Sequence, residues 1–289
     1  MTLAAPGAAT RVAPSPGPSS SGSGARTLSR VGLALPVLVI LLALAWALFP
    51  ALFTGQSPTD TVAPSLQAPS AEHWFGTDAT GRDLYARVVH GARHSLSAGA
   101  AAVGIGFVVG TLLGVIAGAR PGIVDDIIMR LVDVLLAIPG LLLSLSVVIL
   151  LGFGTTNAAI AVGLTSIATF ARLARSRVVS VSTSDFVEAA YGSGGTFWSV
   201  LGRHVLPNSM GPVIALIALQ FGSAILQIAT LGFLGYGAPP PTPEWGLLIA
   251  EGRNYMATGW WLTTLPGLVV VAVVLSTNRL SNAIREVTR

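Results

Sequence analysis

Lysine and cysteine are both absent from the 289 residues, so all 16 basic side chains are arginine. Without lysine the chain cannot carry a phosphate-binding P-loop, whose lysine reaches the β- and γ-phosphates, and it cannot form a lysine Schiff base. Without cysteine it has no disulfide, no thiolate metal site and no thiol nucleophile. Charge is scarce as well: 10% of residues are charged and 52% apolar, whereas soluble domains are roughly 25% charged. That balance points to a bilayer. A net charge of +4 would suit nucleic acid, but the arginines are scattered among apolar runs and form no basic face, so no nucleic-acid partner is expected.

What is present is a series of apolar runs near the length of about 20 residues that a helix needs to cross a membrane. They lie at Val31 to Phe53, Ser95 to Ala119, Ile127 to Leu151, Ala158 to Leu173, Val213 to Leu234 and Trp261 to Leu275. The first is too long, and sits behind too long a tail, for a signal peptide. Residues 1–27 are rich in Ala, Pro, Ser and Gly and read as a disordered tail. Six spans put both termini on one side. With that side inside, only Arg82, Arg87, Arg93 and Arg253 fall outside, which is the positive-inside bias of a multi-pass plasma-membrane protein. The fourth span is the shortest and is closed by arginines.

Several local patterns are structural. Gly106, Gly110, Gly114 and Gly118 recur every four residues and predict one helix face that another helix approaches closely. Pro139 and Gly140 predict a kink or a local opening in the third span. At its inner end, Asp126 with Arg130 and Arg130 with Asp133 are spaced to pair along the helix, beside Asp125. Trp260 and Trp261 suit the outer interface. Gln220 and Gln227, seven apart in the fifth span, share a face and are the candidate lining of a polar pathway; glutamines of this kind also bond neighbouring helices.

The most informative stretch lies between the fourth and fifth spans, on the arginine-rich side. It reads as two short helices separated by glycine. Asp185 can cap the first, with Glu188 reaching back as in a capping box, and Gly192, Gly194 and Gly195 end it. Thr196 can cap the second, where Phe197, Val200, Leu201, His204 and Val205 share a face and Pro207 closes the helix. His204 has no second histidine or carboxylate placed to bind metal with it, so it reads as a packed residue.

Glu188-Ala189-Ala190, then Gly194, His204, Leu206 and Pro207, resemble in spacing the EAA loop of type I ABC importer permeases. Arg203 to Asn208 is similar to the dipeptide, oligopeptide and nickel branch, with His204 standing where the general pattern has a branched aliphatic residue. His73 to Asp83 resembles the HxxGTDxxGRD stretch ahead of the second span in that branch; Thr77, Asp78 and Gly81 are turn residues, and Arg82 with Asp83 can pair. Leu234 to Gly237, Pro239 to Gly246 and Glu251 to Arg253 are similar to a C-type subunit of the same branch. The prolines keep that loop extended ahead of a short helix on or in the outer surface.

The resemblance implies an all-α membrane protein with six transmembrane helices and cytoplasmic termini. Residues 28–54 would be the first helix, 55–90 an extracytoplasmic segment, 91–282 the permease domain with its coupling loop at 176–210, and 283–289 a cytoplasmic tail. It implies coupling residues Asp185, Glu188, Ala189, Ala190, Gly194, Phe197, Val200, Leu201, His204, Leu206 and Pro207. It also implies a B-type permease partner, one or two cytosolic ABC ATPases that bind ATP and Mg, an extracytoplasmic binding protein, surrounding membrane lipid, and no catalytic, cofactor or metal site on this chain. The expected cargo is a di- or oligopeptide, with nickel chelates, haem or another small solute as the alternative.

Other classes fit less well. An ion-coupled carrier needs an ionisable site near the midplane, and spans four to six offer no interior acid. A channel would leave the Glu188 to Pro207 stretch without a purpose. A membrane hydrolase would need a nucleophile in a recognisable setting, and no G-x-S-x-G is present.

Overall fold

The computed structural model describes residues 22–287, with side chains from 33 to 283. Its helices are α1 (Gly22–Leu48), α2 (Leu84–Ala119), α3 (Ile123–Ala137), α4 (Gly140–Leu151), α5 (Thr155–Ser182), α6 (Asp185–Gly192), α7 (Phe197–Val200), α8 (Leu206–Phe233), α9 (Trp245–Gly252) and α10 (Trp261–Val287). Among the described residues the only extended pairing is the single bridge between Thr77 and Asp83. The tail expected at 1–27 falls largely on residues 1–21, which lie outside the described residues; residues 22–27 already belong to α1.

Four helical segments are long and apolar enough to cross a membrane: α2, α5, the continuous Phe197–Phe233 and Trp261–Ala283. Helices α3 and α4 make a fifth if counted as one span, and Leu33–Leu48 is a shorter apolar stretch. The third span is opened at Pro139 and Gly140: its halves meet at 95°. Ile138 precedes a proline, which pushes it out of the helical region to φ −90° and ψ 128°, and Pro139 then starts α4 without an N–H of its own.

The fourth span is longer than its apolar run suggested, because α5 continues through Arg172, Arg175 and Arg177 to Ser182. For Arg172 and Arg175, α3 supplies the carboxylates that make this tolerable. Arg175 reaches Asp125 with two nitrogens, each at 2.5 Å, and Arg172 pairs with Asp133. The pairing expected along α3, of Arg130 with Asp126 and Asp133, gives way to these bonds between helices. Asp125 and Asp133 are eight apart, a little over two turns, so both face α5.

Helices α2 and α5 meet along the glycine stripe. A Cβ on Gly106 would lie 2.5 Å from the Ser166 Cβ, and one on Gly118 would lie 2.9 Å from the Val178 Cβ. On Gly110 and Gly114 it would overlap the carbonyl oxygens of Ile167 and Ala171. Lipid supplies no hydrophobic drive between helices, so this close backbone approach is what gives the pair its van der Waals energy. One end of each of α1, α2, α8 and α10 closes over Trp245, which is fully buried and donates its indole N–H to the Val88 carbonyl at 3.0 Å.

Candidate functional site

Helix α5 stops at Thr183, and the chain reverses into α6. Ser184 takes the N-cap position, but its hydroxyl donates to the Val181 carbonyl at 2.5 Å, so no side chain caps α6. Asp185 is the first helical residue, not the cap, and the expected capping box with Glu188 does not form. Both carboxylates are nonetheless exposed in the first turn, where the helix dipole favours negative charge. The far end closes as the glycines predict. Gly194 adopts φ +87°, its N–H donates to Tyr191 at 2.9 Å, and the Gly195 N–H reaches the Ala190 carbonyl at 3.1 Å, which is a Schellman ending.

Thr196 takes the N-cap position of α7, but its side chain makes no capping bond. Pro207 does not close the second helix. Residues Leu201–Val205 form a π turn that carries α7 without interruption into α8. A proline cannot donate an i−4 bond and its ring crowds the carbonyl four residues back; the wider turn just before it, in which the Leu206 N–H pairs with Leu201, accommodates both. The expected 176–210 loop is therefore helical for most of its length, with breaks at residues 183–184 and 193–196.

One face of this segment is a packed base. Val187, Val200, Leu201 and Val205 are buried against Val178 of α5, with Val115, Ala119, Ala190, Phe197 and Leu206 around them. The opposite face points away from the bundle: Asp185, Glu188, Ala189 and Pro207 are exposed, and His204 is half-buried. Helical spacing in the sequence thus placed Val200, Leu201 and Val205 correctly but missed Val187, the residue that anchors α6. It also missed three exposed rings, Phe186, Tyr191 and Trp198, the last 70% exposed. The signal was there: Phe186 and Tyr191 flank Val187 and Ala190, so burying the latter turns the rings outward.

At the other end of the molecule the segment before α2 forms an ionic clasp. Asp78 accepts from the N–H groups of Thr80 and Arg82, from the Thr80 hydroxyl, from Arg82 Nε at 2.6 Å and from Arg87 Nη1 at 2.7 Å. The same Arg87 nitrogen lies 2.7 Å from Glu251, which ties α9 to α2. Asp83 is the N-cap of α2, accepting from the Ala86 N–H, and its second oxygen contacts His73 Nδ1 at 2.7 Å. The expected Arg82–Asp83 pair is therefore replaced by Arg82–Asp78 and His73–Asp83, because Asp83 is already committed to capping α2.

Burial alone would push the Asp78 carboxyl up, but the N–H groups of Arg82 and Thr80, the Thr80 hydroxyl and the Arg87 charge outweigh it and hold it below its ordinary 3.8. A depressed carboxylate contributes stability above its unfolded pKa and loses it as pH falls through the lower folded value. Acidifying the purified protein below about pH 4 should therefore lower its unfolding temperature, and Asp78→Asn should be less stable near neutrality with a flatter acid limb. Superimposable acid limbs for the two proteins would refute this role for Asp78.

Between clasp and bundle, Glu244 is 1% exposed. Its carboxylate caps α9, taking the N–H groups of Gly246 at 2.9 Å and Leu247 at 3.0 Å, with the Ser95 hydroxyl at 3.4 Å. Burial pushes this carboxyl above the ordinary range against those three bonds. The space it fills is left by Gly232, where a Cβ would overlap its Oε2.

A protein-family description, "Binding-protein-dependent transport system inner membrane component", matches residues 110–286. The chain belongs to this family. The permease is 41% identical to the dipeptide transport system permease protein DppC of Alkalihalophilus pseudofirmus over 260 residues, 90% of this chain and 84% of that one. It is 39% identical to the probable D,D-dipeptide transport system permease protein DdpC of Escherichia coli K12, covering 86% and 84% of the two chains. It is 40% identical to the glutathione transport system permease protein GsiD of Pectobacterium atrosepticum, covering 76% and 73%. Its fold resembles that of a chain from inward-facing conformations of the MetNI methionine ABC transporter, with a TM-score of 0.57, 20% identity, and coverage of 70% of this chain and 97% of that one. The permease is thus an inner-membrane transport component and not an enzyme, and it works with other ABC transporter subunits.

Within the permease, Gln220 and Gln227 are both half-buried on α8. The Gln227 Oε1 atom is buried without a hydrogen-bond partner and lies 3.7 Å from where a Cβ on Gly140 would be, beside the break in the third span.

Proposed function

We propose that this permease is the C-type subunit of an importer for short peptides, that it forms the pathway with a B-type partner, and that α6 and α7 are where cytosolic ATPases push. The observation that carries the reading is the two-sided construction of residues 185–207: a valine and leucine base seated on α2 and α5, and an outward face bearing Glu188, Ala189 and three exposed rings. ATP and Mg would be bound by the ATPases, and an extracytoplasmic protein would deliver cargo. The names of the relatives, dipeptide, D,D-dipeptide and glutathione permeases, favour peptide cargo over nickel chelates or haem.

On this reading the six spans are α1, α2, the bent α3–α4 pair, α5, the α7–α8 rod and α10, with both termini in the cytoplasm. Arg120, Arg172, Arg175, Arg177 and Arg203 then gather at the cytosolic end with the coupling segment. Gln227, and Gln220 two turns away, would face the pathway where the third span is broken.

The absence of cysteine makes the test direct. Ala189→Cys should be cross-linked by a short bis-maleimide to single cysteines placed in turn along the surface cleft of the co-expressed ATPase, with a yield that changes at least severalfold between nucleotide-free and ATP-trapped states. A cysteine that reacts with a monofunctional maleimide yet never yields the ATPase adduct in either state would overturn the coupling assignment.

A further inference from the structure

Beside the coupling segment lies an open apolar groove of about 560 Å³, between the last two turns of α2, the start of α3 and the α7–α8 junction. Its walls include Leu112, Ile116, Phe197 and Leu201, and its only charged lining residue is Arg120. The size is that of a small-molecule cleft. Leu112 and Ile116 turn outward, at 58% and 38% exposure, so the groove is not sealed by the chain itself. The Arg120 guanidinium stands at its mouth, 6.0 Å from the ring centres of both Phe197 and Trp198.

Depth identifies what reaches it. The uncharged stretch of α2 runs from Ser95 to Ala119, roughly 37 Å at 1.5 Å per residue, and ends at Arg120. That stretch exceeds a hydrocarbon core of about 30 Å by roughly 7 Å, so with the surplus shared between its ends Leu112 to Ile116 lie at acyl-chain depth and Arg120 at the headgroup level. The α2 wall of the groove therefore lies where acyl chains reach, and Phe197 and Trp198 of α7 close its other side. No carboxylate lines the groove; of the two acids in the first turn of α3, Asp125 is engaged by Arg175 and the exposed Asp126 is not among the lining residues. An unopposed arginine over an apolar trough complements a molecule with a negative head and a hydrocarbon tail.

We propose that this groove binds a phospholipid of the leaflet on the coupling side, an anionic headgroup pairing with Arg120 and one acyl chain lying against Leu112, Ile116 and Phe197. Because Phe197 and Leu201 belong to the coupling segment, the lipid bears directly on the element that receives the ATPase stroke. Only the naming of that leaflet as the inner one, and the link to coupling, rest on the function proposed above; lipid occupancy does not.

The assembled transporter, purified in the presence of equal phosphatidylglycerol and phosphatidylcholine, should retain the anionic lipid about tenfold over the zwitterionic one when bound lipids are counted by native mass spectrometry. Arg120→Gln should lose that preference while still holding lipid, Arg120→Lys should keep most of it, and Ile116→Trp, which fills the trough, should lose lipids of both kinds. A benzophenone side chain at position 112 should give a lipid adduct. An undiminished preference in Arg120→Gln, or an adduct at position 112 with polypeptide instead of lipid, would overturn the proposal. Neither readout depends on an ATPase cross-link at position 189, so failure of this site and failure of the coupling assignment are told apart.

Discussion

Arg87→Met is expected to cost the permease about 3 kcal/mol, the lower end of the range for removing one partner of a buried ion pair. Methionine keeps much of the bulk of a side chain that is 1% exposed, so the loss reports charge and not a cavity. It would leave Glu251 with only Arg82, at 3.7 Å, and Asp78 with one guanidinium instead of two. The lower end applies because Glu251 is 28% exposed at its side chain and recovers some hydration. Since Glu251 sits at the end of α9, the variant should also loosen the chain after it, and protease cleavage around residues 253–258 should accelerate. Adding Glu251→Gln should recover about half of the loss by removing the carboxylate left poorly paired. A Met variant as stable and as protease-resistant as the parent would show that the clasp adds nothing beyond packing.

How much of this was legible in the sequence depended on whether a feature is periodic or relational. The glycine stripe on α2 is periodic, and Gly106 to Gly118 meet α5 as the spacing implied. The ending of α6 at Gly194 is set by local backbone chemistry and was equally readable. Charge pairing was not, because it depends on which helix lies opposite. Asp133 has Arg130 three residues away and bonds Arg172 instead, while Arg82 passes over its neighbour Asp83 for Asp78.

The coupling segment shows the same division. Val200, Leu201 and Val205 were found by helical spacing, whereas the merging of α7 with α8 through a π turn was hidden by Pro207, which on propensity alone stops a helix. A long helix on each side of α6 has a mechanical consequence. Force on the exposed face of α7 would pass into α8 through unbroken hydrogen-bonded backbone, whereas force on α6 would reach it through the packing of Val187 against Val200, Leu201 and Val205, because residues 193–196 break the helix; α8 carries Gln220 and Gln227 into the bundle.

Gly114→Leu should do more damage than any change in the ionic clasp. A Cβ there overlaps the Ala171 carbonyl oxygen and would stand 2.7 Å from the Ala174 Cβ and 2.9 Å from the Arg175 nitrogen. Two of these three atoms are backbone, so no rotamer change relieves the clash; α2 and α5 must separate. Overpacking by a single methyl in a rigid core costs about 1–3 kcal/mol, and leucine adds three more carbons against a helix backbone. Separation would also pull α5 from beneath the coupling base, because Val178 of α5 anchors Val187, Val200 and Val205. The expected result is a permease that fails to accumulate in the membrane, read by immunoblot of membrane fractions. Ala174→Gly should restore little, since it removes only one of the three obstacles. Gly104, on the same helix with nothing within 4 Å of its Cβ position, supplies the control, and Gly104→Leu should accumulate normally. Equal accumulation of the Gly114 and Gly104 variants would mean that α2 and α5 are not held at the separation described, and the stripe would lose its role as the close contact on which the coupling segment is seated.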